Sequence, residues 1–358
     1  MSHFLTPEHA DKIHNLQQHP VVEGCVRLGP LIGVPLVLRE FGRDPAAVLH
    51  SVGLETDLFD DCENVISFTA MGRLLASCTA QTRCPHFGLL VGQRAGPECM
   101  GLVGQLLGCS PDVGTALRSL ILHLHVHDRG AVPMLSVGPE TAVMGYLIYQ
   151  PDVEATDQIY DGVVAILHNT LRALCGPGFA PVAVLFARRS PADVEPYRRF
   201  FQAPLRFDQE QPGVAFPAKW LDHKLPGADP QQIKLVTDRI AALDRLEQRD
   251  LVGRLRGALP PLLMTRGASL ERTAELFSLH PRTLNRRLAE AGCTFQGLVE
   301  EVRSVLACQL LGNTAMSVSQ IAAALQYAET SAFTRAFRRW TGLSPTAWQA
   351  QFRQPPGV

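Results

Sequence analysis

The chain has 358 residues, of which 46% are hydrophobic, 19% charged and 7% aromatic, with a formal net charge of −1. Its aliphatic content excludes a disordered or fibrous protein, and its length allows two or three domains. The longest apolar run, Leu28–Leu38, is 11 residues with two prolines, short of the roughly 18 that a membrane span needs.

Met1–Asn15 carries histidines and acids but no apolar signal core, so a cytoplasmic location is expected. Helices are expected over Val34–Phe41, from the Asp44-Pro45 start through Leu49, over Thr69–Ala80, over Thr115–His123 and, as a long amphipathic element, over Asp157–Cys175. Met134–Val137, Ala142–Tyr149, Val182–Phe186 and Gly213–Phe216 are rich in β-branched or aromatic residues between turn signals and read as strands. Residues 1–228 are therefore expected to form a mixed α+β domain. The nine cysteines are irregularly spaced and include no Cys-x-x-Cys pair, which argues against a disulfide framework or a structural zinc site.

Several side chains in this region invite a binding role. His123, His125 and His127 would share one face of a strand and could there hold Zn²⁺. On a helix, residues two apart diverge by about 200° and cannot chelate together. The preceding pattern is helical, so no metal and no cofactor is expected. His168 and Arg172, four apart on the long helix, could face a ligand carboxylate, as could Arg129. Tyr146 and Tyr149 point to opposite sides of their strand, so at most one lines a given pocket; Tyr146 is taken with Arg129, His168 and Arg172 as the candidate effector set. The catalytic signatures Gly-x-Ser-x-Gly, Gly-x-x-x-x-Gly-Lys-Ser/Thr and His-Glu-x-x-His do not occur, and no enzyme is expected.

Asp229-Pro230 opens a helix through Ile233, Val236, Ile240, Leu243 and Leu246, followed by the charged run Glu247–Asp250. Residues 229–250 are read as a linker helix whose apolar stripe packs on the N-terminal domain or on a second subunit.

From Leu251 onward the balance of charge reverses. Twelve arginines stand against six glutamates, a net +6, so the first 250 residues carry −7 of the total −1. After an interruption at Pro260-Pro261, Ser269 is a helix cap for a face of Leu270, Ala274 and Phe277. Ser278-Leu279-His280 breaks the pattern, and Pro281 opens a helix with Leu284 and Leu288 inside and Arg282, Asn285 and Arg286 outside. Gly292 ends it. A longer helix carries Phe295, Leu298, Val299, Val302 and Leu306. The arrangement then repeats: Ser317–Leu325 is helical, Gln326–Thr330 is a turn, and Ser331–Thr341 carries an apolar stripe of Phe333, Phe337 and Trp340. Residues 251–354 thus read as an all-α domain with two helix-turn-helix units joined by a helix, spaced to reach successive major grooves about 34 Å apart.

This tail resembles the DNA-binding domain of AraC/XylS-family transcription regulators. Leu284, Arg286, Gly292, Phe295, Arg303 and Ala307 carry the likeness in the first half. In the second half it rests on Ile321-Ala322, Tyr327, Ser331, Phe333, Arg335, Phe337, Arg338 and Gly342-Leu343-Ser344-Pro345. Two residues depart from the family pattern. Gln326 stands where a glycine is usual before Tyr327, and Gln349 where an arginine is common. A non-glycine in a left-handed turn costs on the order of 1 kcal/mol, so a looser second unit is expected. The N-terminal part resembles the arabinose-binding-like domain of a subset of these regulators through Phe41-Gly42-Arg43-Asp44-Pro45, Phe87-Gly88-Leu89-Leu90-Val91-Gly92, Ser110-Pro111, Ala116-Leu117-Arg118 and His127-Asp128-Arg129-Gly130.

The resemblance implies a regulator, more often an activator, that binds double-stranded promoter DNA, contacts RNA polymerase, forms a homodimer and answers to a small effector such as an amino acid or organic acid. Arg282, Asn285 and Arg286, with Thr330, Thr334 and Arg335 in the second unit, are the candidate base contacts. Arg287, Arg338 and Arg339 are the candidate phosphate contacts; Arg303 is open to a structural ion pair instead. An N-terminal domain that only oligomerises, and an enzyme domain fused to a DNA anchor, are the alternatives.

Overall fold

The computed structural model describes residues 21–22, 24–150, 153–209, 211–246, 251–264, 268–277, 279–313 and 316–352. The stretch Met1–Asn15, the charged run Glu247–Asp250 and Ser278 of the inter-helix break lie outside the described residues.

The N-terminal domain begins with a short antiparallel pair, β1 (Cys25–Arg27) and β2 (Val65–Ser67); three-residue strands carry too little pattern to be read in advance. Between them lie α1 (Val34–Glu40) and α2 (Pro45–Ser51). Asp44 caps α2 by accepting from the backbone N–H groups of Ala46 and Ala47, and Pro45 fills the first turn, where its missing N–H is harmless. Next come α3 (Phe68–Thr82), α4 (Phe87–Gly92), α5 (Leu102–Cys109) and α6 (Val113–His123).

Two antiparallel strands follow, β3 (Ala131–Val137) and β4 (Thr141–Ile148), then the 20-residue helix α7 (Thr156–Cys175). The domain closes with β5 (Ala183–Leu185), α8 (Glu195–Phe201), β6 (Leu205–Arg206) and β7 (Gly213–Pro217). The five strands form one sheet in the order β3-β4-β7-β5-β6, with only the β5–β6 pairing parallel. The Gly88…Gly92 pair has a steric purpose: a Cβ at Gly88 would lie 2.0 Å from the Gln158 carbonyl oxygen, and one at Gly92 would lie 2.2 Å from that of Gly162. Glycines four apart thus let α4 lie directly against α7.

Alternation along β3 and β4 divides their side chains between two cores. Ala131, Met144, Tyr146 and Ile148 join the N-terminal core, whereas Val132, Met134, Leu147 and Tyr149 join a second core built mainly from the C-terminal helices. The linker helix α9 (Pro230–Leu246) lays Val236 and Ile240 into the N-terminal core, against α5. Its stripe is thereby assigned to this chain's own domain.

The C-terminal helices are α10 (Leu251–Met264), α11 (Leu270–Leu276), α12 (Pro281–Glu290), α13 (Phe295–Asn313), α14 (Val318–Ala324), α15 (Thr330–Thr341) and α16 (Pro345–Phe352). Pro260-Pro261, expected to interrupt the chain, lies inside α10. Each interior proline costs roughly 3 kcal/mol, about 6 for the pair, but α10 buries Val252, Leu255, Leu259 and Leu263 against the outer side of β3–β4 and against α13. Four buried aliphatic side chains at roughly 1.5–3 kcal/mol each, about 6–12 in all, offset that cost.

Candidate nucleic-acid interface and interior cavity

Each reading helix is an amphipathic cylinder held by local caps. In the first unit the Ser269 hydroxyl accepts from Arg272 N–H at the start of α11, and His280 Nδ1 accepts from Arg282 N–H at the start of α12. Leu284 and Leu288 are fully buried, while Arg282, Asn285, Arg286 and Arg287 are exposed. Arg286 reaches Glu290 one turn along at 3.1 Å, an exposed pair of small energetic weight that can exchange for another acceptor.

The second unit opens on a reciprocal cap, with the Ser317 hydroxyl accepting from Gln320 N–H and the Gln320 side chain accepting from Ser317 N–H. Phe333 and Phe337 of α15 are fully buried, and edge-on contacts join Phe337 to Trp340 and Trp348. Thr330, Arg335, Arg338 and Arg339 are exposed. Thr334 is half-buried and donates its hydroxyl to the Thr330 carbonyl, and Arg339 pairs with Glu300 of α13 at 3.0 Å. Arg303 lies with its guanidinium 5.1 Å from the Tyr327 ring centre, a cation–π seat within the joining helix.

Gln326 adopts the left-handed conformation that the family usually gives to glycine, at φ +65°. Its side-chain amide donates to the carbonyls of Leu262 and Leu263, at 3.3 and 2.5 Å. Those carbonyls belong to the last turn of α10, where no intrahelical donor remains. The expected looseness is thus opposed by a tie between the second turn and the first helix of the domain.

Inside the N-terminal domain lies a cavity with about 80 Å³ open to the centres of water-sized spheres, several times what one ordered water requires. Aliphatic side chains from α3, α4, α6 and α7 wall it, and His127, Asp128, Gln158 and Tyr146 supply its polar atoms. Tyr146 donates a short hydrogen bond to Asp128 Oδ2, and Asp128 Oδ1 accepts from Gly130 N–H.

Of the four candidate effector residues, only Tyr146 faces this cavity. Arg129 is buried beside it and donates from Nε to the His125 carbonyl. His168 sits on another side of α7 among Phe179, Phe200 and Phe201, with ring centres 5.3–6.4 Å away. Burial, with the nearby Arg172, pushes its imidazole down to about 4. Arg172 itself is exposed. The three histidines also part: His123 and His125 have ring centres 6.4 Å apart, while His127 lies in the wall of the cavity. The sequence placed His127-Asp128 within a shared motif but offered no periodicity to show which way they point.

Comparison with known proteins matches residues 42–225 to the arabinose-binding domain of AraC transcription regulators, N-terminal, and residues 273–351 to a helix-turn-helix domain. The chain is similar to the HTH-type transcriptional regulator VirS of Mycobacterium tuberculosis, with 28% identity over 334 residues, covering 91% of this chain and 96% of that one. It is similar to the ornithine utilization regulator of Pseudomonas aeruginosa, with 26% identity across 87% of this chain and 93% of the relative. Among solved structures it is similar to the transcriptional regulator CdpR from Pseudomonas aeruginosa, with a TM-score of 0.46 and 20% identity, covering 90% of this chain and 98% of that one.

Proposed function

The chain belongs to the AraC family of transcription regulators, as a DNA-binding protein rather than an enzyme, and on that premise we propose that a small effector held in the N-terminal cavity controls its reading of promoter DNA. The observation that carries this reading is the double use of β3 and β4. Pro133 and Tyr146 line the cavity, while their neighbours Val132, Met134 and Leu147 hold α10 of the DNA-binding domain. A ligand that shifts these strands alters the seat of α10. To regulate, it must bind the DNA-competent and incompetent arrangements with different affinity.

In this reading Arg282, Asn285 and Arg286 meet base edges in one major groove and Thr330, Thr334 and Arg335 in the next, with Arg287, Arg338 and Arg339 on the phosphates. The regulator acts in the cytoplasm as a homodimer and activates through contact with RNA polymerase.

A thermal-shift screen of metabolites, followed by promoter binding with each stabilising compound, tests the control. Stabilisation coupled to a change in DNA affinity is expected; none across a broad panel refutes effector control and leaves the domain as an oligomerisation module. Arg286→Ala is expected to weaken cognate-site binding by about 1–3 kcal/mol and to relax preference at one base. An equal loss on cognate and random DNA reassigns Arg286 to phosphate.

A further inference from the structure

Resting on the effector reading above, we infer that the cavity takes an uncharged, mainly apolar molecule with one hydroxyl or carbonyl group, which it recognises through His127. An amino acid or organic acid anion does not suit this lining. The walls are formed by side chains such as Met71, Leu75, Val91, Leu120, Leu124 and Ile166. Among the described residues that line it, none is lysine or arginine, and Asp128 is the one with a formal charge. A ligand carboxylate would enter a low-dielectric space already holding Asp128, with no lining cation to compensate it; Arg129, buried beside the cavity, is not in its lining and gives its Nε to the His125 carbonyl. Arg27, which borders the small polar recess on the far side of His127, is engaged by Glu63 and by the backbone carbonyls of Val126 and Glu63.

His127 supplies the specific contact. It is 3% exposed, yet neither ring nitrogen has a hydrogen-bond partner among the described residues. Burial, reinforced by the Arg27 charge, holds the imidazole down to about 3, so the ring is neutral and offers one donor and one acceptor. Buried polar groups of this kind are almost always satisfied. Both nitrogens are covered as the ring lies, so a turn of the ring must present one of them: a ligand hydroxyl can then donate to the bare nitrogen, or a ligand carbonyl can accept from the N–H. Asp128 is held by Tyr146 and Gly130 and does not compete for that role.

The test uses the full-length protein and matched small molecules of about ten heavy atoms: alcohols, ketones and lactones, their hydroxyl-free hydrocarbons, and the carboxylates and amino acids of the same frame. 2-Phenylethanol, ethylbenzene, phenylacetate and phenylalanine form one such set. Thermal shift and calorimetry are expected to find neutral polar members that bind at least tenfold tighter than the carboxylate or amino acid of their set. His127→Phe is expected to cut alcohol affinity about tenfold while leaving the hydrocarbon's unchanged. Should that variant fail to fold, the alcohol-to-hydrocarbon affinity ratio in the native protein reads the same contact, and a ratio near one removes the role given to His127. Tighter binding of the anions or amino acids overturns the ligand class and leaves effector control standing. If no member of any set binds, the class is overturned; effector control falls only if the broad metabolite screen is silent as well.

Discussion

His127, His168, Asp161 and Tyr146 are each less than a tenth exposed in the N-terminal domain, whereas Arg282, Arg286, Arg287, Arg335 and Arg338 of the C-terminal domain stand in solvent. Groups withdrawn from water have their protonation set by desolvation and answer to pH and to what enters the interior. Exposed cations contribute little to folding and answer to salt. One chain thus carries two kinds of responsiveness, and perturbations can be chosen that touch one domain and spare the other.

Acid offers the largest such perturbation. His127 and His168, held down to about 3 and about 4, stay neutral in the folded protein, while in the unfolded chain their imidazoles take up protons below the ordinary histidine value of 6.5. Their stabilising contribution is present above pH 6.5 and is lost as pH falls. Asp161 opposes them. Burial pushes its carboxyl up to about 7 against the pull of Arg188, 2.7 Å away, and of the Tyr197 hydroxyl. The folded state therefore retains its proton, and that stabilisation is lost as pH rises from 3.8 to 7. Between pH 4 and 6.5 two histidines act against one aspartate. The combined contribution of these three groups rises by roughly 1.4 kcal/mol per pH unit, about 3 kcal/mol across the window; His86, lowered by burial, adds to it and Glu63, raised by burial, subtracts from it. Denaturant unfolding at a series of pH values measures this. His168→Phe removes one histidine and should leave a nearly level profile; a slope undiminished in that variant shows that His168 is not withdrawn from solvent.

Salt probes the other domain. With Arg287, Arg338 and Arg339 on phosphates, log affinity for promoter DNA should fall against log salt with a slope of about −2.7 per chain. Raising salt fourfold then weakens binding about 40-fold, or about 2 kcal/mol. Arg338→Ala should reduce the slope by about 0.9. Arg339→Ala should reduce it by less, because in the free protein this arginine is already paired with Glu300. Equal reductions would mean that the Glu300 pair has no influence on the DNA-free state, and a slope unmoved by either change would take both arginines off the phosphates. Binding of an uncharged molecule in the cavity should not change over the same range.

The same contrast explains how much could be read in advance. Recognition helices α12 and α15 were legible because each pairs a buried stripe, Leu284 with Leu288 or Phe333 with Phe337, with an exposed cationic face, and periodicity within one helix reports both. The main strands were legible for the same local reason. The cavity was not. His127 follows a short 3₁₀ turn (Leu124–Val126) that no repeat governs, and its surroundings come from elements far apart in sequence. His168 and Arg172 illustrate the opposite error: four apart on one helix, they looked like a pair, yet one is enclosed by phenylalanines and the other faces solvent. Helix α10 runs through Pro260-Pro261 because of tertiary burial, which a local breaker signal cannot weigh.

Gln326 joins the two domains' behaviour and yields the smallest but most pointed expectation. Its left-handed backbone costs on the order of 1 kcal/mol, while two donated hydrogen bonds to Leu262 and Leu263 return about 0.5–1.5 kcal/mol each. Gln326→Ala keeps the strained backbone and loses both bonds, so a destabilisation of about 1–2 kcal/mol is expected. Gln326→Gly also loses the bonds but releases the strain, less the entropy that glycine adds to the unfolded chain, and should fall between alanine and the native residue. The order glutamine, glycine, alanine in denaturant midpoints is therefore the signature of a turn held by its side chain. Glycine above glutamine would mean that strain dominates and the tie to α10 is idle; alanine equal to glutamine would mean that the bonds contribute nothing. Because α10 rests on the outer side of β3–β4, the first of these orders also marks Gln326 as one tie, beside the packing of α13, between the second reading unit and the helix seated on the wall of the cavity.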